Sequence, residues 1–172
     1  CTLLDASRIA YVGTEMKDGN GWGLRPLYLL DLNTGHEENL GFAPADGPEF
    51  SPDGQWLYFN SEMASATSGH AQCFRMNLSS RLVEQLTHDE RVNWFPHPSP
   101  DDQWLVSLSY PPGTEGHPAD KAVRLRVSRP DGSELRVLVE FNGGQGTINV
   151  PSWAPDSTRF AYVAYPQAAA IP

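Results

Sequence analysis

The stretch PEFSPDGQWLYF, residues 48–59, decides the fold because the chain repeats it. Three other stretches carry the same pattern: PHPSPDDQWLVS (96–107), PSWAPDSTRFAY (151–162) and a shortened copy, DASRIAYV (5–12). The spacing of the copies is measured between their aligned aspartates, Asp5, Asp53, Asp101 and Asp156. The intervals are 48, 48 and 55 residues, which is the length range of one blade of a β-propeller.

The core of the repeat predicts a tight turn followed by a buried strand. In Ser-Pro-Asp-Gly the proline suits the second position of a type I turn, and Gly54 supplies the positive φ that follows. Later copies carry Asp102 and Ser157 there, so we expect those turns to be strained or differently shaped. The strand after the turn, residues 56–59, is apolar on both faces, which is typical of a sheet packed between two neighbours.

Each copy continues into a third and a fourth strand, and no segment has helical periodicity. The predicted fold is therefore all-β, a propeller of four-stranded antiparallel blades. The chain is one propeller segment of about three and a half blades, part of a roughly six-bladed ring. The predicted repeats are 1–44 with the inner strand missing, 45–91, 92–147, and 148–172 with its first two strands only. The remainder of the propeller or a second chain is then needed to close the ring.

Composition limits the classes of partner. Twelve basic and twenty-one acidic residues give a formal charge of −9, and no Lys/Arg cluster offers an electrostatic footprint for nucleic acid. No apolar run reaches the roughly 18 residues of a membrane span, and the first residues do not have the charged and apolar regions typical of a signal peptide. We expect a soluble protein, with the compartment, cytoplasmic or periplasmic, left open.

The repeat, as it stands at residues 48–61, resembles the WD40-like (PD40) repeat of the TolB propeller and of propellers attached to prolyl oligopeptidase-type enzymes. Three further stretches, 93–100, 115–121 and 143–151, are similar to the C-terminal half of uncharacterised, biopolymer-transporter-like TolB-related proteins. The resemblance implies a bacterial propeller of about six repeats. It implies a fold and not a reaction.

Five polar residues are not required by the repeat, and we predict that they form a ligand site: Glu49, His97, His117, Gln145 and Asn149. Glu49 and His97 occupy one slot of sister copies, on the strand nearest the ring axis, where side chains face a central channel. Since Ser152 fills this slot in the next copy, His97→Ala is expected to leave the fold intact. His117 lies in the loop 111–121, and glycines in 143–146 let the backbone approach a ligand closely.

Two functions fit this site. The first is a non-catalytic binding or scaffold module without a cofactor, which engages a protein or a small polar or carbohydrate ligand at the channel mouth. The alternative is a carbohydrate-active enzyme, a lyase or hydrolase, with a metal or acid/base site around His97 and His117. There His97, His117 and Gln145 would bind a divalent metal, because imidazole and amide oxygen are metal ligands. Serine-nucleophile, zinc-protease and phosphate-loop motifs are absent from the sequence.

Overall fold

The computed structural model describes residues 2–4 as backbone, and residues 7–14 and 24–165 with their side chains. In this part of the chain twelve strands form three antiparallel sheets of four strands each. No helix long and apolar enough to span a membrane occurs in the same ranges. The predicted all-β fold of antiparallel sheets is confirmed.

The strands follow one another in each sheet in chain order. The first sheet contains β1 (Thr2–Leu4), β2 (Arg8–Val12), β3 (Leu27–Asp31) and β4 (Glu37–Gly41). The second contains β5 (Ala45–Phe50), β6 (Trp56–Ser61), β7 (Gln72–Asn77) and β8 (Val83–Gln85). The third contains β9 (Val92–Pro98), β10 (Leu105–Tyr110), β11 (Lys121–Ser128) and β12 (Arg136–Gly143).

The first repeat differs from its prediction at its inner strand. We expected this strand to be missing, but β1 pairs with β2 in antiparallel register, with Leu3 opposite Ile9. The expectation is wrong because β1 lacks the proline that begins the repeat motif at the inner strands of the other copies. Three residues are enough to complete the sheet.

The fourth repeat is the least regular part of the fold. Its two predicted strands are reduced to one antiparallel bridge between Trp153 and Phe160. Hydrogen bonds from Ala154 N to Arg159 O and from Ala161 N to Ser152 O extend the pairing slightly. Residues 166–172 of this repeat lie outside the described residues.

The sheets pack face to face, as the apolar character of both strand faces predicted. One cluster of buried side chains joins the first and second sheets, and it includes Leu27, Phe50 and Phe59. Another joins the third sheet to the fourth repeat, and it includes Trp94, Leu108 and Ile148. A third cluster, which includes Tyr58, Cys73 and Leu105, joins the second and third sheets, so both of these sheets have a neighbour on each face.

The repeated turn keeps one geometry whichever residue follows the aspartate. Gly54 N, Asp102 N and Ser157 N each donate a hydrogen bond of 2.9 Å to the carbonyl oxygen three residues earlier. Their φ angles are 68°, 54° and 58°. Asp102 and Ser157 thus adopt the left-handed conformation that favours glycine. The expected backbone strain in these two turns is correct, and the expected difference in turn shape is wrong.

Candidate ligand site

The site is built on an irregularity that β5 and β9 share. In β5, Asp46 pairs with Asn60 and Glu49 pairs with Tyr58, so three steps along β5 match two steps along β6. In β9, Trp94 and His97 pair with Leu108 and Val106 in the same way. Each strand therefore contains a β-bulge immediately before or at the repeated proline.

A bulge changes which side chains share a face. In a regular strand, residues three apart point to opposite faces. The extra residue in β5 reverses this, and Asp46 and Glu49 line the same cavity. The bulge residue is Gly47 in β5, with φ 57°, and Phe95 in β9, with φ 56°. Phe95 N donates a hydrogen bond of 3.3 Å to Oδ1 of buried Asn60, which ties the two bulges together.

The cavity has a volume of about 440 Å³ and lies over the first strands of neighbouring sheets. It is lined by four of the five predicted site residues: Glu49, His97, His117 and Asn149. The fifth, Gln145, lines an adjoining groove of about 960 Å³, which also includes His117. Residues from four separate parts of the sequence are thus brought to one place.

His97 forms part of the cavity wall but has no free ring nitrogen. It is 3% exposed, and its Nε2 lies 2.6 Å from the carbonyl oxygen of Ile148. A carbonyl only accepts hydrogen bonds, so Nε2 carries a proton. Nδ1 is paired with Oε2 of Glu49. One further proton lies between these two atoms, so the His97–Glu49 pair is neutral as a whole.

This pair also joins separate parts of the fold. Glu49 belongs to β5, His97 belongs to β9, and Ile148 begins the fourth repeat. The indole Nε1 of Trp153 donates a hydrogen bond of 3.1 Å to the carbonyl of His97. His97 therefore holds three repeats together, which changes the expectation that alanine is tolerated at this position.

His117 is placed by aromatic packing and by one hydrogen bond. Its ring lies edge-on to Trp94 at 4.8 Å and to Phe95 at 5.2 Å, measured between ring centroids. Its Nδ1 is paired with Oε1 of Gln145, an acceptor, so Nδ1 carries the proton of the neutral ring. Nε2 of His117 has no hydrogen-bond partner among the described residues and is available as an acceptor.

The glycines at 143–146 fix the loop that carries His117. A Cβ added to Gly144 would lie 2.0 Å from the carbonyl oxygen of Pro118, closer than any real contact. Gln145 N donates a hydrogen bond of 3.2 Å to the same oxygen. Asn149 Oδ1 in turn accepts from Gly146 N at 2.8 Å, which leaves its side-chain NH₂ without a partner among the described residues. The sequence predicted that these glycines let the backbone approach a ligand closely. In the structure they let it approach the loop 111–121.

The predicted metal ligands are not arranged as three free donors. Both nitrogens of His97 are engaged, and Gln145 Oε1 accepts from His117. Within the described ranges no group of three or more His, Cys, Asp or Glu side chains is placed to hold a metal ion. A metal would have to displace at least two hydrogen bonds of the cavity wall.

Sequence reasoning missed three residues that line the cavity: Tyr11, Asp46 and Phe95. Asp46 and Phe95 lie in the bulges. In the sequence, the bulge is marked only by the residue before the repeated proline, which is Gly47 in one copy and Phe95 in the next. Tyr11 was read as part of the buried strand of the first repeat. It lines the cavity with Val12, next to a stacked contact of 5.4 Å with Tyr28.

Comparison with known proteins identifies the class of fold. The structure superposes on that of a protein from Agrobacterium tumefaciens provisionally named TolB, with a TM-score of 0.83, 37% sequence identity, and coverage of 95% of this chain and 56% of that one. TolB from Acinetobacter baumannii matches with a TM-score of 0.64 and 16% identity, over 89% of this chain and 34% of its own. The chain therefore has a TolB-like β-propeller fold.

Two further findings define how far the likeness extends. An uncharacterised protein of Agrobacterium fabrum is 40% identical over 141 residues, which is 81% of this chain and 47% of that protein. This chain thus spans about half the length of the curated relative. The propeller of Pyrococcus horikoshii acylaminoacyl peptidase matches with a TM-score of 0.57 and 17% identity, over 81% and 24% of the two chains. No protein-family model matches the chain.

Proposed function

We propose that this chain is a segment of a TolB-like propeller that acts as a non-catalytic binding module, with its ligand in the cavity between β5, β9 and residues 149–151. The ligand is a small polar or carbohydrate molecule, or a polar group of a partner protein. The observation that carries the proposal is the cavity itself. Four residues outside the demands of the repeat line it, and its volume suits one small molecule.

The chemistry of the wall supports binding over catalysis. The buried His97–Glu49 pair is fixed by the Ile148 carbonyl, so it is poised to hold its shape rather than to exchange protons with a substrate. Among the predicted site residues, three groups have no partner in the described part of the chain: a Glu49 oxygen, Nε2 of His117 and the NH₂ of Asn149. These supply two acceptors and one donor, which is the small set of polar groups typical of a ligand pocket.

The ring is part of the same proposal. Three four-stranded sheets and a partial fourth repeat make about three and a half blades of a roughly six-bladed propeller, with repeat boundaries near residues 45, 92 and 148. Exposed apolar side chains of the fourth repeat, Val150, Tyr162 and Val163, support a further blade against it. The remainder of the propeller or a second chain would cover them.

The enzyme alternative has one observation in its favour, a carboxylate and an imidazole that share a proton inside a cavity. A carbohydrate-active lyase or hydrolase would use Glu49 as its acid or base and His117 as its partner. It differs from the binding module in a single measurable respect, which is product formation.

The test is a ligand screen on the full-length protein. Ligand-observed NMR with mono- and disaccharides, amino sugars and short peptides identifies binders, and mass spectrometry of the same samples detects products. We expect at least one compound to bind without turnover, and His117→Ala and Asn149→Ala to weaken it about tenfold. His88→Ala, an exposed histidine that does not line the cavity, is the matched control. Binding that both cavity variants leave unchanged would overturn the proposed site, and turnover abolished by Glu49→Gln would establish the enzyme.

A further inference from the structure

We propose that the cavity selects a ligand that carries a protonated primary amine. This inference rests on the binding function proposed above and names the chemistry that the site recognises. Two of the residues that line the cavity, Asp46 and Glu49, bear carboxylates. No Lys or Arg is found among the described residues that line it.

The two carboxylates retain open oxygens. Oδ1 of Asp46 accepts a hydrogen bond of 2.8 Å from Gly47 N, and Oε2 of Glu49 is paired with His97. The second oxygen of each group has no hydrogen-bond partner in the described part of the chain. Because the His97–Glu49 pair is neutral as a whole, Asp46 gives the cavity a net negative charge.

The adjoining groove strengthens this field. It shares Asp46 and His117 with the cavity and adds the carboxylates of Glu62 and Glu115 against a single cation, Arg25. Carboxylates that line a cleft with low-dielectric walls concentrate cations there. A neutral or anionic ligand would gain nothing from this arrangement.

Aromatic rings complete the environment of a cation. Tyr11 and Phe95 line the cavity together with the two carboxylates. An ammonium group over the face of an aromatic ring is attracted by the ring quadrupole. Phe95 is 4% exposed and held by the Asn60 hydrogen bond, so its ring is fixed before a ligand arrives.

One side chain of the adjoining groove has a donor without a partner. Trp94 lines the groove beside the cavity and is 2% exposed, and its indole Nε1 has no hydrogen-bond partner among the described residues. A buried N–H without an acceptor is costly. The wall next to the cavity therefore contains a hydrogen-bond donor without an acceptor among the described residues.

The test compares a pair of probes that differ in the charge of one nitrogen. Isothermal titration of the full-length protein with D-glucosamine and with N-acetyl-D-glucosamine separates recognition of the amine from recognition of the sugar. A tripeptide with a central lysine, beside its ε-acetylated form, tests a peptide source of the same group. We expect the amine form to bind at least about tenfold more tightly than its acetylated partner in one or both pairs.

Variants assign the effect to the cavity. Asp46→Asn keeps the acceptor for Gly47 N and removes the net negative charge of the cavity. Glu49→Gln replaces the open carboxylate oxygen with an amide group and leaves the pair with His97 neutral, so it tests the acceptor and not the net charge. Each is expected to weaken amine binding about tenfold. Glu140→Gln removes an equal charge from β12, where Glu140 pairs with Arg124, and is expected to have no effect.

The outcomes separate this inference from the function on which it rests. Equal binding of amine and acetylated forms, with loss in His117→Ala, would overturn the amine preference and leave the binding site standing. Amine binding that Asp46→Asn and Glu49→Gln do not weaken would overturn the inference as well. Absence of any amine binding up to about 10 mM would do the same, while the broader ligand screen still decides the binding function.

Discussion

β5 and β9 have the same backbone and different side chains. Both contain a bulge with a left-handed residue before the repeated proline, and both lead into the same hydrogen-bonded turn. β5 carries small and acidic residues at the bulge, Asp46, Gly47 and Glu49. β9 carries Trp94, Phe95 and His97 at the equivalent places. One strand supplies charge, and the other supplies aromatic surface and a hydrogen-bond donor.

The side chains that differ between β5 and β9 fit one another in the cavity. Glu49 and His97 occupy one slot of the repeat, 48 residues apart, and they bind each other. The space beside Gly47 is taken by Phe95, since a Cβ on Gly47 would lie 3.3 Å from its ring. Making the two strands more alike is therefore a direct way to test the site.

The largest effect is expected where the two strands touch. His97→Ala removes the donor to Ile148 and leaves the Glu49 carboxylate, 12% exposed, without a partner. We expect a loss of about 3 kcal/mol in the free energy of unfolding, because an uncompensated buried charge is costly. Urea unfolding followed by tryptophan fluorescence measures it.

The double variant Glu49→Ala/His97→Ala tests whether the loss comes from the unpaired Glu49 charge. It removes both members of the pair and should recover part of the loss, since no buried charge remains. His117→Ala, half-buried and outside the strand contact, should cost less than about 1 kcal/mol. A loss below about 1 kcal/mol for His97→Ala would contradict the buried role.

The second-largest loss of stability is expected at the start of the two strands, where β5 has Ala45 and β9 has Asn93. Buried Asn93 donates to Oδ1 of Asp89 at 3.1 Å and to Oε1 of Gln72 at 3.1 Å. Asp89 is also paired with Arg126 of β11. Asp89→Asn should cost about 2 kcal/mol at pH 7, because Arg126 loses its counter-ion in a largely buried position.

This cost should depend on pH. Burial opposes ionisation of Asp89, but hydrogen bonds from Arg126 and Asn93 outweigh it and lower the pKa of Asp89 below its ordinary value of 3.8. A lowered carboxyl pKa stabilises the fold above the ordinary value, and this stabilisation is lost as pH falls through the folded value. The difference between wild type and Asp89→Asn should therefore shrink below about pH 4. A difference that is constant from pH 7 to pH 3 would contradict it.

The smallest effect is expected in the two turns that follow the strands. Gly54→Ala places a Cβ at φ 68° and should cost about 1 kcal/mol. Asp102→Gly removes the same strain from the sister turn and should stabilise by about 0.5 to 1 kcal/mol. Burial and the charge of Asp53 raise the pKa of Asp102, so the gain should be greater at neutral pH than in acid. Thermal unfolding of the two variants measures both signs, and equal signs would contradict the shared geometry.

The sequence predicted the fold because the repeat is a local signal. Turn residues, strand length and apolar faces recur at a fixed interval, and each is decided by a few neighbouring residues. The short strand β1 escaped because it lacks the proline of the motif. The second half of the fourth repeat was predicted as strand from Phe160 and its neighbours, yet only one bridge forms, since strand pairing depends on what lies beside it.

Only part of the candidate site could be predicted, because its contacts join residues that are far apart in the sequence. Glu49, His97, His117 and Asn149 stood out because the repeat does not need them, and they do line one cavity. Their roles depended on contacts across 48 and 51 residues, such as His97 to Glu49 and to Ile148. Asp46 and Phe95 were missed because a bulge changes the facing of side chains, and period-2 reasoning does not detect it.

In β5 and β9 the bulge places two positions of the repeat at the cavity and its adjoining groove. They are the second residue before the repeated proline and the residue after it: Asp46 and Glu49 in β5, and Trp94 and His97 in β9. Because Glu49 and His97 bind each other, the cavity is recoded by exchanging facing side chains of two blades together, while the backbone of each bulge is kept.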